Sequence, residues 1–386
     1  MKKCVVFSFN FPPRIGGESL VTYKLLNNSE NEYDVISSSY SKNSTGDVRL
    51  NEKITLWSTP SGIGWILFAL KKYSYLKKKK KFDCMMSRSM PVFSHIPAIF
   101  IKVFHPSVAW IASISDPIYN TPYRDDSTLK KKVINRIFDT VEGIVYRRAD
   151  KLVFTNQYMM EFILQGKYKK FREKALVIPF GYDNSILPVE NKEIKDLVEN
   201  IHLKRERIVI GYIGALYGDR NADIMIEGYK KYLAEKSNVD RTVEIIFLGI
   251  SKGRIVDDIK EVNLENFIHV IGTVPYEQSL YCMQQVDGLF LIDLEFPHIR
   301  PSIFLPSKVY DYIHSKKTIV VFGSSTGPIV DLLAGTGSLR YEYSPEKVKE
   351  CLLNLSIELP QPVYKNFESY SIKDVSEKLD ELLEKL

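Results

Sequence analysis

The chain has 386 residues, enough for two hydrophobic cores, because a single core stops growing near roughly 250–300 residues. Its composition, 45% hydrophobic and 26% charged, excludes collagen-like, low-complexity and disordered chains. The net charge of +6 is shared unevenly: residues 1–185 hold 29 Lys or Arg and 16 Asp or Glu, whereas residues 186–386 hold 24 and 31. The first half is therefore expected to meet an anionic membrane surface, nucleic acid or phosphorylated substrate.

The scattered cysteines and histidines indicate neither a disulfide framework nor a metal site. Cys4, Cys84, Cys282 and Cys351 lack CxxC spacing, so we expect free, mostly buried thiols in a reducing compartment. The six histidines form no ligand-like cluster, and we expect no metal. The sequence has no run of about 18 apolar residues, so no transmembrane helix is predicted. The N-terminus lacks the pattern of a signal peptide. We therefore expect a cytoplasmic protein.

Strand-like and helix-like segments alternate along the first half. Strands are predicted at residues 4–9, 33–37, 84–87, 107–111 and 151–155. Helices are predicted between them, notably at 20–26 and 129–148. This alternation predicts a parallel sheet with helices on both faces.

A second α/β half follows a charged, weakly patterned segment, residues 184–207, which is interpreted as a linker. Its strands are predicted at residues 208–213, 244–249, 268–271, 288–292, 318–322 and 338–341. Its helices are predicted at 222–233, 276–284 and 306–315, and the chain ends in an amphipathic helix, 371–386. Two such halves are expected to leave a cleft between them, where ligands commonly bind.

Two segments of the first half carry residues suited to a ligand site. Gly16-Gly17 follows the first strand and precedes a helix, so the backbone there can approach a ligand closely, although Gly-Gly also marks ordinary turns. Asp116 comes just past a strand end and is followed by proline. An aspartate there points into a cleft or forms a local turn, and the sequence leaves both open.

Two segments of the second half are suited to bind a diphosphate. Gly214-Ala-Leu-Tyr-Gly-Asp-Arg220 turns from a strand toward a helix, and a guanidinium such as that of Arg220 binds phosphate in a bidentate manner. Pro306-Ser307-Lys308 opens a helix whose N–H groups and positive dipole end favour anions. Asp311 follows one turn later, placed to accept from ribose hydroxyls. Together these residues predict a nucleoside diphosphate site; taken singly, each also fits an ordinary turn, surface arginine or capped helix.

The run Lys77-Lys-Lys-Lys-Lys81 follows an aromatic, apolar helix in the basic half. Such a run is either a solvated face or a patch that meets anionic lipids, and its apolar neighbour favours the lipid interpretation.

The order of the motifs resembles a known family. Along the chain come Phe11-Pro-Pro-x-x-Gly16-Gly17, Asp116-Pro, Ile178-Pro-Phe-Gly-Tyr-Asp183, Tyr212-Ile-Gly-Ala-Leu-Tyr-Gly-Asp-Arg220, Gly272-Thr-Val-Pro275 and Leu305-Pro-Ser-Lys308-Val-Tyr-Asp311-Tyr. No motif is specific alone, but the ordered set, spanning nearly the whole chain, resembles retaining GT-B-fold glycosyltransferases similar to glycosyltransferase family 4, of the bacterial polysaccharide biosynthesis type.

The resemblance implies two Rossmann-like doubly wound domains facing a cleft. The first comprises residues 1–185 and meets the acceptor and the inner face of the cell membrane, with residues 366–386 crossing back to it. Residues 186–207 are the linker, and 208–365 bind the nucleotide sugar.

It also implies roles for single residues. Arg220 and Lys308 would neutralise the donor diphosphate without a metal, and the N–H groups of Ser307 and Lys308 would bind its oxygens. Gly214 would allow close approach of the donor. Asp311 would hold the ribose and the backbone around Val274 would contact the base.

From the first domain, Gly16 and Gly17 would close over the donor, and Asp116 would lie near the reacting sugar or the acceptor hydroxyl. The implied reaction is retaining transfer from a nucleotide sugar to a lipid-linked or saccharide acceptor.

The chain departs from this family at one position. The family's Glu-x7-Glu pattern ends here at Asp311, so its first acid falls at Ile303. Glu295, Asp293 or Arg300 are candidates for its role. Two alternatives stay open: a non-catalytic scaffold or regulatory subunit, which the missing acid favours, and a nucleotide-sugar epimerase, which the sparse histidines and the Pro-Ser-Lys pattern disfavour. The basic residues form no known nucleic-acid-binding module.

Overall fold

The structure is a computed structural model that describes residues 1–14, 16–39, 47–60, 64–117, 126–204, 206–216, 222–236, 241–250, 253–293, 296 and 299–386. The chain divides into two compact units. Unit 1 comprises Met1–Asp183 together with Glu368–Leu386, and unit 2 comprises Asn184–Phe367.

Unit 1 is built on an eight-stranded sheet. Its strands are β1 (Lys3–Phe7), β2 (Glu32–Ser39), β3 (Asp47–Arg49), β4 (Ile54–Pro60), β5 (Cys84–Arg88), β6 (Ala109–Ile114), β7 (Lys151–Phe154) and β8 (Ala175–Val177). They pair in the order β3-β4-β2-β1-β5-β6-β7-β8, and all but the antiparallel edge strand β3 run parallel. The carboxyl ends of β1, β5 and β6 are therefore neighbours, and loops that follow them meet at one edge.

Helices connect these strands, as parallel pairing requires. They are α1 (Gly17–Asn28), α2 (Gly64–Lys79), α3 (Ile96–Phe104), α4 (Leu129–Arg148) and α5 (Gln157–Ile163), with 3-10 helices at Val92–His95 and Gly166–Lys174. Side-chain caps fix two of the helix starts: Thr128 accepts from the Lys131 N–H before α4, and Asn156 accepts from the Met159 N–H before α5. The predicted bounds of α4 are confirmed, and the five predicted strands are confirmed with small shifts.

Unit 2 is built on a six-stranded parallel sheet. Its strands are β9 (Arg207–Ile213), β10 (Thr242–Leu248), β11 (Ile268–Ile271), β12 (Gly288–Asp293), β13 (Thr318–Gly323) and β14 (Leu339–Tyr341). They pair in the order β11-β10-β9-β12-β13-β14. The order reverses between β9 and β12, and ligands of open α/β sheets bind at the carboxyl ends beside such a reversal.

Unit 2 also begins with a helix that the sequence interpretation missed. Its helices are α6 (Lys192–Leu203), α7 (Asp223–Glu235), α8 (Gly253–Glu261), α9 (Tyr276–Gln285), α10 (Lys308–His314), α11 (Pro328–Leu332) and α12 (Pro345–Ile357). Helix α6 lies inside the segment interpreted as a linker. It buries Ile194, Val198 and Ile201, one face of the helix, and Asn191 caps its start.

The last helix, α13 (Ile372–Glu384), belongs to unit 1. Val375, Leu379 and Leu383 are buried in the unit 1 core with strand residues of β1 and β2. Asp380 fixes the helix further, because its carboxylate accepts from the Glu30 N–H at 2.9 Å and from Asn31 Nδ2 at 2.6 Å. The predicted mixed α/β architecture with two parallel sheets is confirmed.

All four cysteines are buried free thiols, as predicted. Within the described ranges, no helix is long and apolar enough to cross a membrane.

Candidate functional site

The turn after β9 contains a glycine that its conformation requires. Gly214 has φ of +133°, a region that L side chains rarely adopt, and its N–H donates to the Leu248 carbonyl at 2.8 Å. Gly249 follows the last residue of the neighbouring strand β10, and an added Cβ there would lie 3.2 Å from Gly214 Cα. The two strand ends therefore approach each other more closely than side chains there would allow.

Lys308, the first residue of α10, places its ammonium group over this turn. Lys308 Nζ lies 3.9 Å from the ring centroid of Tyr212, a cation–π contact. A Cβ added at Gly214 would lie only 2.6 Å from the same nitrogen. The glycine thus leaves the space that the ammonium group occupies at the carboxyl end of β9.

Helix α10 is tied to the end of β9 by a buried tyrosine. Tyr312 Oη accepts from the Ile213 N–H at 2.8 Å and donates to the Ile213 carbonyl at 3.2 Å. Because Tyr312 lies one turn after Lys308, this pair of bonds fixes the helix that carries the cation.

The predicted ribose-binding residue, Asp311, is held on the same helix. Its side chain is mostly buried, and its Oδ1 accepts from Tyr276 Oη at 2.7 Å. Val274, the predicted base-contacting residue, lies in the segment between β11 and α9, two residues before Tyr276. The structure therefore brings the Val274 segment to Asp311, while Ser307 immediately precedes Lys308.

Two of the predicted positions, Arg220 and Glu295, lie outside the described residues. Ile303, where the resembling family has an acid, is buried with 2% of its surface exposed. Asp293 ends β12, is also buried, and accepts from Ser302 Oγ at 3.2 Å. A buried carboxylate held in this way fits a structural role in the loop after β12.

In unit 1, the predicted residues Gly16, Gly17 and Asp116 lie near a glutamate–arginine contact that the sequence interpretation missed. Gly17 begins α1, and an added Cβ at either glycine would meet no atom within 4 Å. Glu18 follows, and its Oε1 lies 3.2 Å from Nη2 of Arg88 at the end of β5. These contacts place Gly16, Gly17 and Glu18 at the carboxyl edge of the sheet.

Arg88 is buried at the centre of this group, with 4% of its side chain exposed. Its Nη1 donates to Ser113 Oγ on β6 at 3.0 Å. Asp116, two residues past the end of β6, is close enough to act electrostatically on Glu18. We call Glu18, Arg88 and Asp116 the unit 1 charged cluster.

The unit 1 charged cluster contains a carboxyl group that titrates near neutrality. Burial raises the pKa of Glu18 from its ordinary 4.5 to about 7; Arg88 opposes this and the Asp116 carboxylate adds to it. Between pH 4.5 and 7, the folded protein therefore keeps a proton on Glu18 that the unfolded chain has released. The contribution of Glu18 to the free energy of unfolding is complete below pH 4.5 and is lost as the pH rises through 7.

Glu18→Gln is expected to match wild type in stability at pH 4.5 and to be more stable at pH 8. One pKa unit corresponds to about 1.4 kcal/mol, so the gain at pH 8 is roughly 3 kcal/mol. Thermal unfolding at both pH values measures it, with the exposed Glu265→Gln as control. A loss of stability at pH 8 would show instead that ionised Glu18 is stabilised by Arg88.

The comparisons with known proteins concern the fold. No protein-family model and no curated protein matches the sequence. Among solved structures, Anabaena HepE in complex with UDP is similar at TM-score 0.70 and 14% identity, with 100% of both chains covered.

Two further structures are similar. Sucrose-phosphate synthase from Thermosynechococcus elongatus matches at TM-score 0.67 and 10% identity, over 100% of this chain and 99% of that one. An α,α-trehalose-phosphate synthase (UDP-forming) from Burkholderia xenovorans, in complex with glucose-6-phosphate, matches at TM-score 0.62 and 10% identity over 100% of both chains. Identities this low show the fold alone: the chain has the GT-B fold, with two Rossmann-like α/β units.

Proposed function

We propose that the protein is a glycosyltransferase that moves a sugar from a UDP-sugar to a hydroxyl of a lipid-linked or saccharide acceptor, with retention, in the biosynthesis of cell-surface polysaccharide or glycan. The observation that carries the proposal is the placement of Lys308 over Tyr212 and Gly214, one turn from the Asp311–Tyr276 hydrogen bond. A cation and a ribose acceptor spaced along one short helix match the diphosphate and ribose of a nucleotide. The solved neighbours that hold UDP support uracil as the base.

In this proposal the donor lies along the carboxyl edge of the unit 2 sheet. Lys308 neutralises the diphosphate, and the N–H groups of Ser307 and Lys308 donate to its oxygens. Gly214 permits its close approach, Asp311 accepts from the ribose hydroxyls, and the backbone at Val274 contacts the base.

Arg220 supplies a second cation to the diphosphate. With these two cations at the diphosphate, we propose that no divalent metal is needed, so activity in EDTA is expected to equal activity in MgCl₂.

The transfer step breaks the bond between the anomeric carbon and the diphosphate oxygen and forms one between that carbon and the acceptor oxygen. Negative charge grows on the departing diphosphate, where Lys308 stabilises it. The acceptor proton passes to the departing phosphate oxygen on the same face, which yields UDP and a retained configuration. We assign to Asp116 a place near the reacting sugar or the acceptor hydroxyl.

Asp311→Asn is expected to weaken UDP binding 10- to 100-fold, because hydrogen bonds to a charged group contribute about 1.5–3 kcal/mol. Calorimetry with UDP and with 2′,3′-dideoxy-UDP separates the ribose contact from other effects. Wild type should discriminate between the two ligands, and Asp311→Asn should bind both alike. The exposed Asp257→Asn is the control, and discrimination retained by Asp311→Asn would contradict the ribose assignment.

Thermal stabilisation by UDP, GDP, ADP, dTDP and CMP, each in EDTA, tests the proposal as a whole. UDP at about 100 times its Kd is expected to stabilise the protein by roughly 2.7 kcal/mol. Stabilisation by another nucleoside diphosphate would support the glycosyltransferase proposal with a base other than uracil. No stabilisation by any of the five would contradict the proposal.

We also propose that unit 1 meets the anionic inner face of the cell membrane through the run Lys77 to Lys81, from the cytoplasmic side. Lys77, Lys78 and Lys79 are exposed in the last turns of α2, as is Lys81 beyond it. Lys80 differs, because it pairs with the buried carboxylate of Asp34. The lysines on either side of Lys80 are therefore the ones available to lipid headgroups.

A second candidate function is a non-catalytic scaffold, which the apolar, buried Ile303 favours. UDP binding without any release of UDP from UDP-sugars, with or without acceptor, would support the scaffold.

A further inference from the structure

Helix α4 exposes an apolar stripe in its first half. Leu129, Val133 and Ile137 recur at intervals of four residues, which aligns them on one face of the helix. Their exposed fractions are 79%, 52% and 54%, whereas the buried residues of α4 all lie between Glu142 and Tyr146. An apolar helix face normally covers a core, but this one is turned to solvent.

The neighbouring helix α3 exposes large apolar side chains as well. Phe104 is 74% exposed, and Phe100 and Val103 are about half exposed. Helix α3 packs beside both α2 and α4. Between α2 and α3 lies a groove of about 490 Å³, in which Phe100 and Phe104 line the same space as Lys77 and Lys78. Apolar and cationic side chains therefore share one surface.

The charge along these three helical segments is of one sign. Helices α2 and α3 and residues 129–138 of α4 contain ten Lys or Arg and no Asp or Glu. Among them are Lys130, Lys131, Lys132 and Arg136, which flank the apolar stripe of α4. A second copy of the same surface would be repelled by this charge, and apolar side chains find no partner on a phosphate backbone of nucleic acid. An anionic lipid bilayer suits both the cationic and the apolar side chains, because its headgroups attract the cations and its acyl boundary accepts the apolar groups.

We infer that the exposed apolar residues of α3 and α4 insert into the acyl boundary of an anionic membrane, while lysines of α2 and α4 contact its headgroups. The inference builds on the membrane contact proposed for Lys77 to Lys81. It adds a hydrophobic component and assigns it to helices outside that run. A surface held by insertion as well as by charge keeps part of its affinity when salt screens the lysines.

The experiment is co-sedimentation of the full chain with vesicles of phosphatidylcholine alone and with 30% phosphatidylserine or phosphatidylglycerol. A first variant carries Leu129→Ser, Val133→Ser and Ile137→Ser, which are exposed positions whose change leaves the core intact. A second variant carries Lys77→Gln, Lys78→Gln and Lys79→Gln. Circular dichroism and thermal unfolding of each variant show that unit 1 remains folded, and UDP stabilisation separates this test from that of the donor site.

We expect wild type to bind anionic vesicles and the serine variant to bind at least tenfold more weakly, with the residual binding lost in high salt. The glutamine variant should lose about fivefold affinity per lysine at low salt and retain the salt-resistant part. If only the glutamine variant lost affinity, the proposed insertion would be overturned and the electrostatic contact of the lysines would be supported. Absence of vesicle binding by wild type, or a serine variant that changes only the oligomeric state, would overturn the inference.

Discussion

Replacement of Lys308 by alanine is expected to lower the transfer rate by about 10²–10³ and to remove most of the stabilisation by UDP. The reason is the position of the ammonium group, 3.9 Å from the Tyr212 ring and directly over Gly214, where the diphosphate is proposed to lie. Loss of one fixed group that stabilises charge in the transition state typically costs this much in rate. The measurement is the rate of UDP release from UDP-sugar together with thermal stabilisation by UDP.

Two further variants sharpen this prediction. Lys308→Gln keeps a polar side chain but removes the positive charge, so it is expected to resemble Lys308→Ala. Lys230→Ala removes an exposed lysine of the same unit on α7 and is expected to leave both readouts unchanged. A Lys308→Ala protein with wild-type turnover would place the donor elsewhere.

Gly214→Ala is expected to reproduce much of the Lys308→Ala defect without altering any charged residue. The added Cβ would lie 2.6 Å from Lys308 Nζ, and the flexible end of the lysine is the part that gives way. The ammonium group is then displaced from the Tyr212 ring, and we expect UDP affinity to fall about tenfold and turnover about 10²-fold. Calorimetry and the UDP-release assay measure the two effects.

The chain offers a control for backbone strain at Gly214. Gly335 also has a positive φ, +76°, but an added Cβ there would meet no atom within 4 Å. Gly335→Ala should therefore lower stability slightly and leave UDP affinity intact. In the double variant with Lys308→Ala, the Gly214→Ala change should lower UDP affinity and turnover little further, because both substitutions act through one ammonium group. Fully additive losses would show that Gly214 acts independently of Lys308.

Local patterns in the sequence predicted the elements that carry the unit 2 site. The apolar run before Gly214 predicted β9, and Pro306-Ser307-Lys308 predicted the start of α10 within two residues. The three-residue spacing of Lys308 and Asp311 predicted that both lie on one side of that helix. These features depend on neighbours in the chain, which is why sequence alone reaches them.

Contacts between distant residues were beyond reach. Tyr276 lies 35 residues from Asp311, and Arg88 lies 70 residues from Glu18, so no local pattern pairs them. Glu18 follows the Gly-Gly segment and Arg88 ends a strand, which is the only local signal that either residue gave. The pKa of Glu18 in turn depends on burial, a property of the folded unit.

Two elements that the sequence interpretation did not predict had a signal in the sequence. Helix α6 carries Ile194, Val198 and Ile201 at helical spacing, but its charged composition favoured a linker. Strand β4 alternates buried Ile54 and Leu56 with more exposed neighbours, the pattern of a strand with one covered face. Each element has only two or three fully buried apolar positions, so its periodicity is a weak signal.

A crystal structure of the protein with UDP tests the donor site most directly. The account predicts a diphosphate oxygen within about 3.2 Å of Lys308 Nζ, the ribose hydroxyls on Asp311 and the uracil against the backbone at Val274. UDP bound away from the carboxyl edge of the unit 2 sheet, with no contact to α10, would contradict it.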